Sequence, residues 1–367
     1  MSNQVNRINV KKRFQLWGWR QSVKFNTKVH DLTYFFWETT SRCNLNCRHC
    51  GSDCNKDKKF EELSAEKVLN VFRDIAENYE PQKIMIAVTG GEPLVREDLF
   101  DILSEISKMG FPWGMVTNGL LVNEEIVKKC ASSGMKTVSV SLDGLESSHN
   151  WLRNNSSSYE RAMNALKLFE QSGSFNAVEA ISCVNSKNIN QLGEMYETLK
   201  SNGIQNWRLF TIFPKGRAEL NKELLLNKTL LIKLFNFIKK KRKADPSMHI
   251  SYSEEGYLGC DWEREVRDTF FYCGAGIHVG GLLADGTYSA CPSLSREWAQ
   301  GHIDEISFSK AWEKRYENMR NRQWMRTKEC SKCKEWKNCN GSSLHLWDWK
   351  EGKNAICHYQ LLNSSND

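Results

Sequence analysis

The most reactive side chains of the sequence are grouped in one short stretch, SRCNLNCRHCGSDC, at residues 41–54. It holds Cys43, Cys47 and Cys50 in the spacing C-x3-C-x2-C, followed by Cys54. A closed tetrahedral zinc or iron–sulfur site needs four protein ligands. Three thiolates on one short loop suit three irons of a [4Fe–4S] cluster, whose fourth iron stays open to another ligand. A zinc knuckle is the alternative, and it would use Cys54 as the fourth ligand.

The composition agrees with a metal or redox role for these thiols. The chain has 367 residues and 13 cysteines, and 26% of its residues are charged. We find no secretory signal and no apolar run long enough to span a bilayer, so we expect a cytoplasmic protein that does not associate with a membrane. In a reducing compartment, clustered cysteines are metal ligands or redox groups more often than disulfides.

Positive charge is concentrated at the N-terminus. The net charge is +7, and residues 1–31 carry seven basic residues against the single acid Asp31. Two interpretations stay open for this arm: it binds an acidic partner, or it is a solvated extension. A second basic run, KKKRK at 239–243, follows an apolar helical pattern and is expected to end that helix. Without zinc-finger or helix-turn-helix spacing, we expect no nucleic-acid partner.

From about residue 32, predicted strands and helices alternate. Helix 64–79 begins at Ser64, and a later helix begins at Asn123. Such alternation predicts a parallel sheet with helices outside it, and functional residues at the carboxyl ends of the strands. The predicted strands are 32–40, 83–90, 111–119, 136–144, 176–184 and 206–214.

Polar or glycine-rich motifs follow four of these strands. The cysteine loop follows the first, TGGEP (89–93) ends the second, TNG (117–119) ends the third and SLDG (141–144) ends the fourth. A single glycine pair after a strand is weak support for a site, because it usually makes only a turn. Four such ends on one edge of one sheet predict a functional site there.

The cysteine spacing after the first strand, together with GGEP after the second, resembles the radical S-adenosylmethionine (SAM) superfamily. The resemblance implies that three cysteines hold a [4Fe–4S] cluster and that the amino and carboxylate groups of SAM bind its open iron. One electron then cleaves SAM to a 5′-deoxyadenosyl radical, which abstracts a hydrogen atom from the substrate. An external donor such as flavodoxin or ferredoxin would supply the electron.

The resemblance also assigns residues. Arg153, in HNWLRN, matches a family segment that usually reads HD-x-x-RG, although Asn150 and Asn154 replace the usual residues there. No catalytic acid or base is assigned. The implied cluster ligands are Cys43, Cys47 and Cys50, and the implied SAM contacts are Gly90, Gly91 and Glu92 (methionine amino group), Ser141 (ribose or carboxylate), His49 (adenine) and Arg153.

The C-terminal third holds a second series of cysteines. Its spacing resembles the SPASM domain, an extension of many radical SAM enzymes that binds two auxiliary iron–sulfur clusters. The resemblance assigns a distal auxiliary cluster to Cys330, Cys333, Cys339 and Cys357. Cys273 and Cys291 belong to a proximal cluster, for which Cys260 is a candidate third ligand. Ser343 stands where the family has the last proximal cysteine, so this cluster is incomplete, ligated differently or absent.

The resemblance implies an α/β fold: a basic arm over 1–31, a partial (β/α)6 TIM-like barrel over 32–250 and a cysteine-rich SPASM domain over 251–367. It implies a SAM-binding [4Fe–4S] cluster, one or two auxiliary [4Fe–4S] clusters, and modification of a ribosomally made peptide by a crosslink, a thioether bond or epimerisation. Three alternatives stay open: an enzyme of cofactor or small-molecule biosynthesis, a protein-maturation enzyme of the sulfatase type, and an iron–sulfur protein without radical chemistry.

Overall fold

The computed structural model describes residues 10–57, 59–253 and 256–364. Its centre is a ten-stranded sheet in the order β10-β9-β8-β1-β2-β3-β4-β5-β6-β7, and a separate two-stranded sheet pairs β11 with β12. The strands are β1 Tyr34–Glu38, β2 Met85–Thr89, β3 Trp113–Thr117, β4 Met135–Ser141, β5 Ala177–Val184, β6 Asn206–Thr211, β7 His249–Tyr252, β8 Val279–Leu282, β9 Thr287–Ser289, β10 Gly301–His302, β11 Trp347–Asp348 and β12 Lys353–Asn354.

Strands β1 to β6 are the six strands that the sequence predicts. They lie side by side in chain order, and every neighbouring pair is parallel. The predicted α/β fold is therefore confirmed. Parallel pairing places the carboxyl ends of these strands on one edge, where the cysteine loop and the three polar turns follow them. Strand β7 adds a seventh parallel strand beside β6, and it was not predicted.

Helices follow the strands of the parallel sheet, and shorter helices build the C-terminal region. The helices are α1 Val10–Val29, α2 Ala65–Asn78, α3 Leu99–Lys108, α4 Glu124–Ser132, α5 Glu146–Arg153, α6 Ser158–Ser172, α7 Leu192–Ser201, α8 Lys228–Ala244, α9 Phe308–Arg315, α10 Glu317–Arg320, α11 Lys328–Ser331, α12 Trp336–Cys339 and α13 His358–Asn363. In the part of the chain just described, no helix is both long and apolar enough to cross a membrane.

The helix ends follow the local chemistry of the sequence. The side chain of Ser64 accepts the backbone N–H of Lys67 at the start of α2, and Asn123 does the same for Ile126 at the start of α4. Gly173 ends α6 in the left-handed conformation, with a φ of 60°. The basic run 239–243 lies at the end of α8, where its cations face the negative end of the helix dipole, as predicted.

The core fills the space between the sheet and its helices. Its largest fully buried side chains include Trp37 on β1, Trp113 on β3 and Trp207 on β6. Burying a large apolar side chain stabilises the fold by roughly 2 kcal/mol or more. Strands β2 and β3 are buried on both faces, which explains their nearly continuous apolar sequences, whereas β4 and β6 alternate between buried and partly exposed residues.

Residues beyond 250 extend the same sheet. Strand β8 pairs in parallel with β1, and β9 and β10 follow it as antiparallel strands. The predicted boundary at 250 therefore separates two chain segments that share one sheet, and the division into two domains stays a prediction.

Most of the predicted N-terminal arm is helix α1. Its Leu16, 7% exposed, packs against Phe270, so this part of the arm is bound to the C-terminal region and is not a solvated extension. Arg7 lies outside the described residues.

Candidate active site

The cysteine loop lies at the carboxyl edge of the parallel sheet. It leaves β1 and is fixed at its base by the backbone N–H of Cys43, which donates to the carbonyl of Asn55 at 2.6 Å. Cys43, Cys47 and Cys50 all line one cavity of about 490 Å³. The spacing C-x3-C-x2-C therefore presents three thiols to a common space, as the sequence predicts.

Hydrogen-bond donors surround these sulfur atoms. The backbone N–H of Leu45 lies 3.5 Å from Sγ of Cys43, and the side-chain amide of Asn118 lies 3.9 Å from the same atom. Nη1 of Arg153 lies 3.8 Å from Sγ of Cys47. Burial raises the pKa of the Cys47 thiol, and the charge of Arg153 opposes that shift. Donors and a cation of this kind stabilise thiolates, which are the form that ligates iron.

Arg217, which follows β6, fixes the cysteine loop from the opposite side. Its Nε donates to the carbonyl of Cys47 at 2.7 Å, and its Nη2 donates to the carbonyl of Cys54 at 2.9 Å. A Cβ on the preceding Gly216 would lie 2.5 Å from the carbonyl oxygen of Gly51. The KGR segment after β6 therefore has to be small at Gly216 and long and cationic at Arg217.

The fourth cysteine of the loop is buried beside the third. A hydrogen bond from the Cys54 thiol lowers the pKa of Cys50 to about 5. In the described part of the chain, no three His, Cys, Asp or Glu side chains are placed to hold a single metal ion. Three thiols on the wall of one cavity suit a cluster, in which each thiolate binds its own iron.

The GGEP turn packs on the base of the cysteine loop. A Cβ on Gly91 would lie only 2.0 Å from the carbonyl oxygen of Arg42. The backbone N–H of Glu92 donates to that same oxygen at 2.9 Å. Glycine is therefore required at position 91 because two protein segments approach each other closely there. The resemblance gives a different reason for this glycine, which is a contact with SAM.

Glu92 is buried, and both of its carboxylate oxygens are engaged. Oε1 accepts the hydroxyl of Thr117 at 2.8 Å, and Oε2 accepts the backbone N–H of Asn118 at 2.8 Å. Burial raises the pKa of this carboxyl group, and these donors oppose that shift. Glu92 thus joins the turn after β2 to the turn after β3, while its side chain still lines the cavity.

The turn after β4 brings three charged groups together. Burial is the largest single influence and would raise the pKa of Asp143, but the charge of Arg153, the two nearby histidines and the backbone N–H of Cys183 together outweigh it and lower this pKa to about 2. Nε of Arg153 donates to Oδ2 of Asp143 at 2.6 Å, and Nε2 of His49 lies 4.0 Å from the same oxygen. Burial lowers the pKa of His49 to about 4, so its ring is neutral near pH 7. Ser141, at the end of β4, faces the cavity beside these groups.

The C-terminal region forms the other wall of the cavity. Arg296 donates to the carboxylates of Glu38 at 2.7 Å and Asp285 at 2.9 Å, and residues 292–295 lie beside it. Lys215 donates to the carbonyl of Ser293, and burial lowers its pKa. Among the described residues, no carboxylate lies within ion-pair distance of Lys215, so a cation without a paired anion faces the cavity.

The four cysteines assigned to the distal cluster come together. Burial raises the pKa of the Cys339 thiol, and the charges of Cys357, Cys330 and Cys333 raise it further, so the four lie in the same region of the fold. The side-chain amide of Asn354, on β12, lies 3.9 Å from Sγ of Cys330.

The residues assigned to the proximal cluster are placed differently. Burial is the main cause that raises the pKa of Cys291, and Cys273 is close enough to contribute. Cys260 instead packs with Leu16 and Phe270, and its Sγ lies 3.4 Å from the hydroxyl of Tyr257. Ser343 is buried at the start of a short 3-10 turn, residues 344–346. The role of Cys260 as a third ligand stays a prediction.

The structure brings the nine residues predicted for the cluster and SAM to one cavity: Cys43, Cys47, Cys50, Gly90, Gly91, Glu92, Ser141, His49 and Arg153. Sequence reasoning missed Asn118, Asp143, Lys215 and Arg217 as individual residues. The motifs TNG and SLDG contained the first two. No local sequence pattern marks Lys215 and Arg217, because their partners are far away in the chain. The partner of Arg217 is 170 residues away, and the partner of Lys215 is 78 residues away.

Comparison with known proteins agrees with this site. The family model described as "Radical SAM superfamily" matches residues 37–199. An AdoMet-dependent heme synthase of Methanosarcina barkeri is 28% identical over 189 residues, which are 51% of this chain and 53% of that protein. An Fe-coproporphyrin III synthase of the same organism is 25% identical, with 83% of this chain and 82% of that protein covered. The mycofactocin maturase MftC of Mycobacterium tuberculosis is 24% identical, with 84% and 77% covered. The chain spans about half the length of the first of these relatives.

Two solved structures share the fold. SuiB of Streptococcus suis bound to S-adenosylmethionine superposes with a TM-score of 0.65 at 17% identity, covering 88% of this chain and 76% of SuiB. Native anSMEcpe with bound AdoMet superposes with a TM-score of 0.68 at 19% identity, covering 89% and 93%. The matched segment 37–199 contains the cysteine loop, GGEP, TNG and SLDG. Residues 37–199 of the chain therefore form a segment that matches the radical SAM superfamily model.

Proposed function

We propose that this protein cleaves SAM reductively at the loop of Cys43, Cys47 and Cys50 and uses the resulting radical to modify a peptide. The observation that carries the proposal is that the three thiols, the GGEP turn and the C-terminal segment 292–296 line a single cavity. A [4Fe–4S] cluster held by the thiols would supply one electron, which splits SAM into methionine and a 5′-deoxyadenosyl radical. The radical would take a hydrogen atom from a substrate in the same cavity.

The protein residues have separate tasks in this proposal. Arg153 and Asn118 stabilise the ligating thiolates by charge and by hydrogen bonding. Glu92 and Gly91 hold the turn against the cysteine loop, so the SAM site and the cluster site form as one unit. His49 has a buried Nδ1 without a hydrogen-bond partner in the described part of the chain, and it is therefore available to a bound adenine.

The cavity suits a substrate with an anionic group. Phe60 and Phe213 line it with apolar surface, and Lys215 adds a cation that forms no ion pair with a carboxylate of the described residues. A buried cation gains most from a partner that enters the same low-dielectric space. We assign Lys215 to a carboxylate of the substrate, either a side chain or the terminus of a peptide.

The C-terminal cysteines support electron transfer in the same reaction. Residues 251–367 are proposed to be a SPASM domain, with Cys330, Cys333, Cys339 and Cys357 as one complete set of four thiolates. Cys273 and Cys291 are proposed for the proximal cluster, and Cys291 is a neighbour of Lys215 at the cavity wall. An acceptor at that wall would take the electron left on the substrate in an oxidative crosslink. A flavodoxin or ferredoxin would serve as the external one-electron donor.

The match to a maturase over 84% of this chain is consistent with a peptide substrate. A second candidate is a modification of a tetrapyrrole side chain, because two relatives are named as heme and Fe-coproporphyrin III synthases. Both candidates use the same SAM chemistry, and both place a carboxylate near Lys215. They differ in the molecule that loses a hydrogen atom.

Two measurements test the proposal. The reconstituted, reduced protein should form 5′-deoxyadenosine from SAM, and the triple change of Cys43, Cys47 and Cys50 to Ala should abolish this product. Cys130→Ala, at a fully buried cysteine outside the cavity, is the control for loss of a thiol. Continued SAM cleavage by the triple variant would overturn the assignment of the site.

Co-expression with short open reading frames of the same gene neighbourhood, followed by mass spectrometry, tests the substrate. A peptide that loses two hydrogen atoms, or that changes chirality at constant mass, would support the proposal that the substrate is a peptide. Turnover of Fe-coproporphyrin with no change in any peptide supports the second candidate.

A further inference from the structure

A second groove lies between α1 and the C-terminal region, apart from the cavity of the SAM site. It forms where Trp19 of α1 packs edge-on against Tyr272, with ring centroids 5.5 Å apart. Nη1 of Arg20 donates to the side chain of Asn338 at 3.3 Å across the same contact. The groove beside this contact has a volume of about 860 Å³, which is within the range of binding sites for small ligands and side chains.

Both walls of this groove are positively charged. Arg20 and Lys24 lie four residues apart on α1 and therefore on the same face of the helix. Arg326, Lys334 and Lys337 come from the opposite wall. No aspartate or glutamate lines the groove, and within the described ranges none of these five side chains forms an ion pair.

The sixth cation at the groove has a structural task instead. Arg320 is buried and donates to the carbonyls of Gly276 at 2.9 Å and Trp312 at 2.7 Å. The five other cations repel one another because no described carboxylate lines the groove between them, and an anionic partner that bridges the two walls would reduce that repulsion.

Two of the four aromatic side chains that line the groove have covered rings. Phe271 is 2% exposed and Trp336 is 7% exposed. The guanidinium of Arg267 lies over the Phe271 ring at 5.2 Å, and that of Arg326 lies over the Trp336 ring at 6.0 Å. Single-stranded nucleic acids bind to open, parallel ring faces, whereas the other two rings, Trp19 and Tyr272, are half-buried and pack edge-on against each other. Covered rings beside exposed cations instead suit carboxylates that alternate with apolar side chains.

We propose that this groove binds an extended, acidic segment of a partner polypeptide, with apolar side chains between its carboxylates. The carboxylates pair with Arg20 and Lys24 on one wall and with Arg326, Lys334 and Lys337 on the other. The bound segment lies beside Cys333, which also lines the groove. This binding does not depend on which substrate reacts in the SAM cavity.

The test uses the reconstituted full-length protein and a short fluorescein-labelled peptide that alternates glutamate with leucine. The matched peptide has glutamine in place of glutamate. Fluorescence anisotropy should show at least about tenfold tighter binding of the glutamate peptide, and this preference should fall as salt is added. Equal affinity of the two peptides would overturn the proposal.

Paired charge reversals separate the groove from the net charge of the protein. Lys24→Glu with Lys337→Glu should weaken binding of the glutamate peptide at least about tenfold. Lys128→Glu with Lys167→Glu changes the net charge equally at exposed lysines of α4 and α6, away from the groove, and it should change the affinity less than about twofold. If both pairs of substitutions weaken peptide binding equally, the peptide is attracted to the net charge of the whole protein. That result would overturn the proposal that the groove is the binding site.

Two further arms keep the result decisive. Circular dichroism and iron content check that each variant folds. If Lys24→Glu with Lys337→Glu does not fold, Lys24→Gln with Lys337→Gln replaces it. This neutral pair should weaken binding of the glutamate peptide at least about threefold. An oligothymidylate and the unlabelled glutamate peptide are also compared as competitors of the labelled peptide. Equal competition by the oligothymidylate would show a nucleic-acid site and would overturn the proposal.

Discussion

Nη1 of Arg153 lies 3.8 Å from Sγ of Cys47, and Nε of the same guanidinium donates to Oδ2 of Asp143 at 2.6 Å. One side chain thus joins the cysteine loop after β1 to the polar turn after β4. The side chain of Asp143 is fully buried and that of Arg153 is 12% exposed, so the carboxylate depends on this guanidinium and not on water for its partner.

Arg153→Met should destabilise the protein by about 3–5 kcal/mol, because it leaves the Asp143 carboxylate buried without its partner. It should also lower the iron bound per chain, because Cys47 loses the cation that opposes the effect of burial on its pKa. Arg153→Lys keeps the charge without the forked geometry of the guanidinium. Its stability and its iron content should therefore lie between those of the wild type and those of Arg153→Met. Arg161→Met, at an exposed position of α6, is the control. Wild-type iron content and unfolding midpoint in Arg153→Met would contradict this role.

Gly91→Ala should reduce both iron content and SAM binding. Its Cβ would lie 2.0 Å from the carbonyl oxygen of Arg42, so the base of the cysteine loop has to move. Gly193→Ala is the matched control, because its Cβ would meet no atom within 4 Å. Iron analysis and equilibrium dialysis of SAM measure the two effects. Loss of SAM binding with unchanged iron would show that the glycine serves the ligand and not the packing of the loop.

His149 should make the stability of the protein depend on pH. Its Nδ1 accepts the backbone N–H of Asp143 at 2.9 Å, which only a neutral ring can do, and burial lowers its pKa to about 4. The unfolded chain binds this proton near pH 6.5. Its contribution to stability is therefore complete above about pH 6.5 and is lost as the pH falls from there to about 4, by up to about 1.4 kcal/mol per pH unit.

His149→Gln should therefore flatten the pH dependence of the urea-unfolding midpoint below about pH 6.5, because glutamine cannot gain this proton. Above pH 7 the midpoints of variant and wild type should run parallel, which serves as the internal control. Equal slopes of the two proteins between pH 6 and pH 5 would show that the ring is not held neutral in the fold.

Cys330→Ala with Cys357→Ala should remove about four irons per chain and leave the cluster of the SAM cavity in place. The four distal thiols are neighbours of one another, and none of them lines that cavity. The remaining cluster should still cleave SAM when reduced by dithionite. Iron analysis and electron paramagnetic resonance would detect the loss, with Cys130→Ala as the control. Unchanged iron content would contradict the assignment of this set.

The strands, the helix ends and the edge that carries the site were predictable from the sequence, because each depends on residues close in the chain. Ser64 and Asn123 cap helices through donors three residues away. The C-x3-C-x2-C spacing similarly presents three thiols to one space. Helix α5 was missed, although it carries Arg153, because HNWLRN has only a weak apolar pattern. The sequence does not predict helix α1, because the burial of this helix depends on contacts with Phe270, which is far away in the chain.

The sequence alone determined the parallel sheet, the edge where its polar turns collect and the cysteine loop that marks the chemistry, because these follow from periodicity and local spacing. Only the tertiary structure decided that Arg217 holds the loop from beyond β6, that Lys215 lines the cavity and donates to the carbonyl of Ser293, and that β8 joins β1. These relationships join residues far apart in the chain. Their energies come from burial and from pairing in space, which no local pattern of residues records.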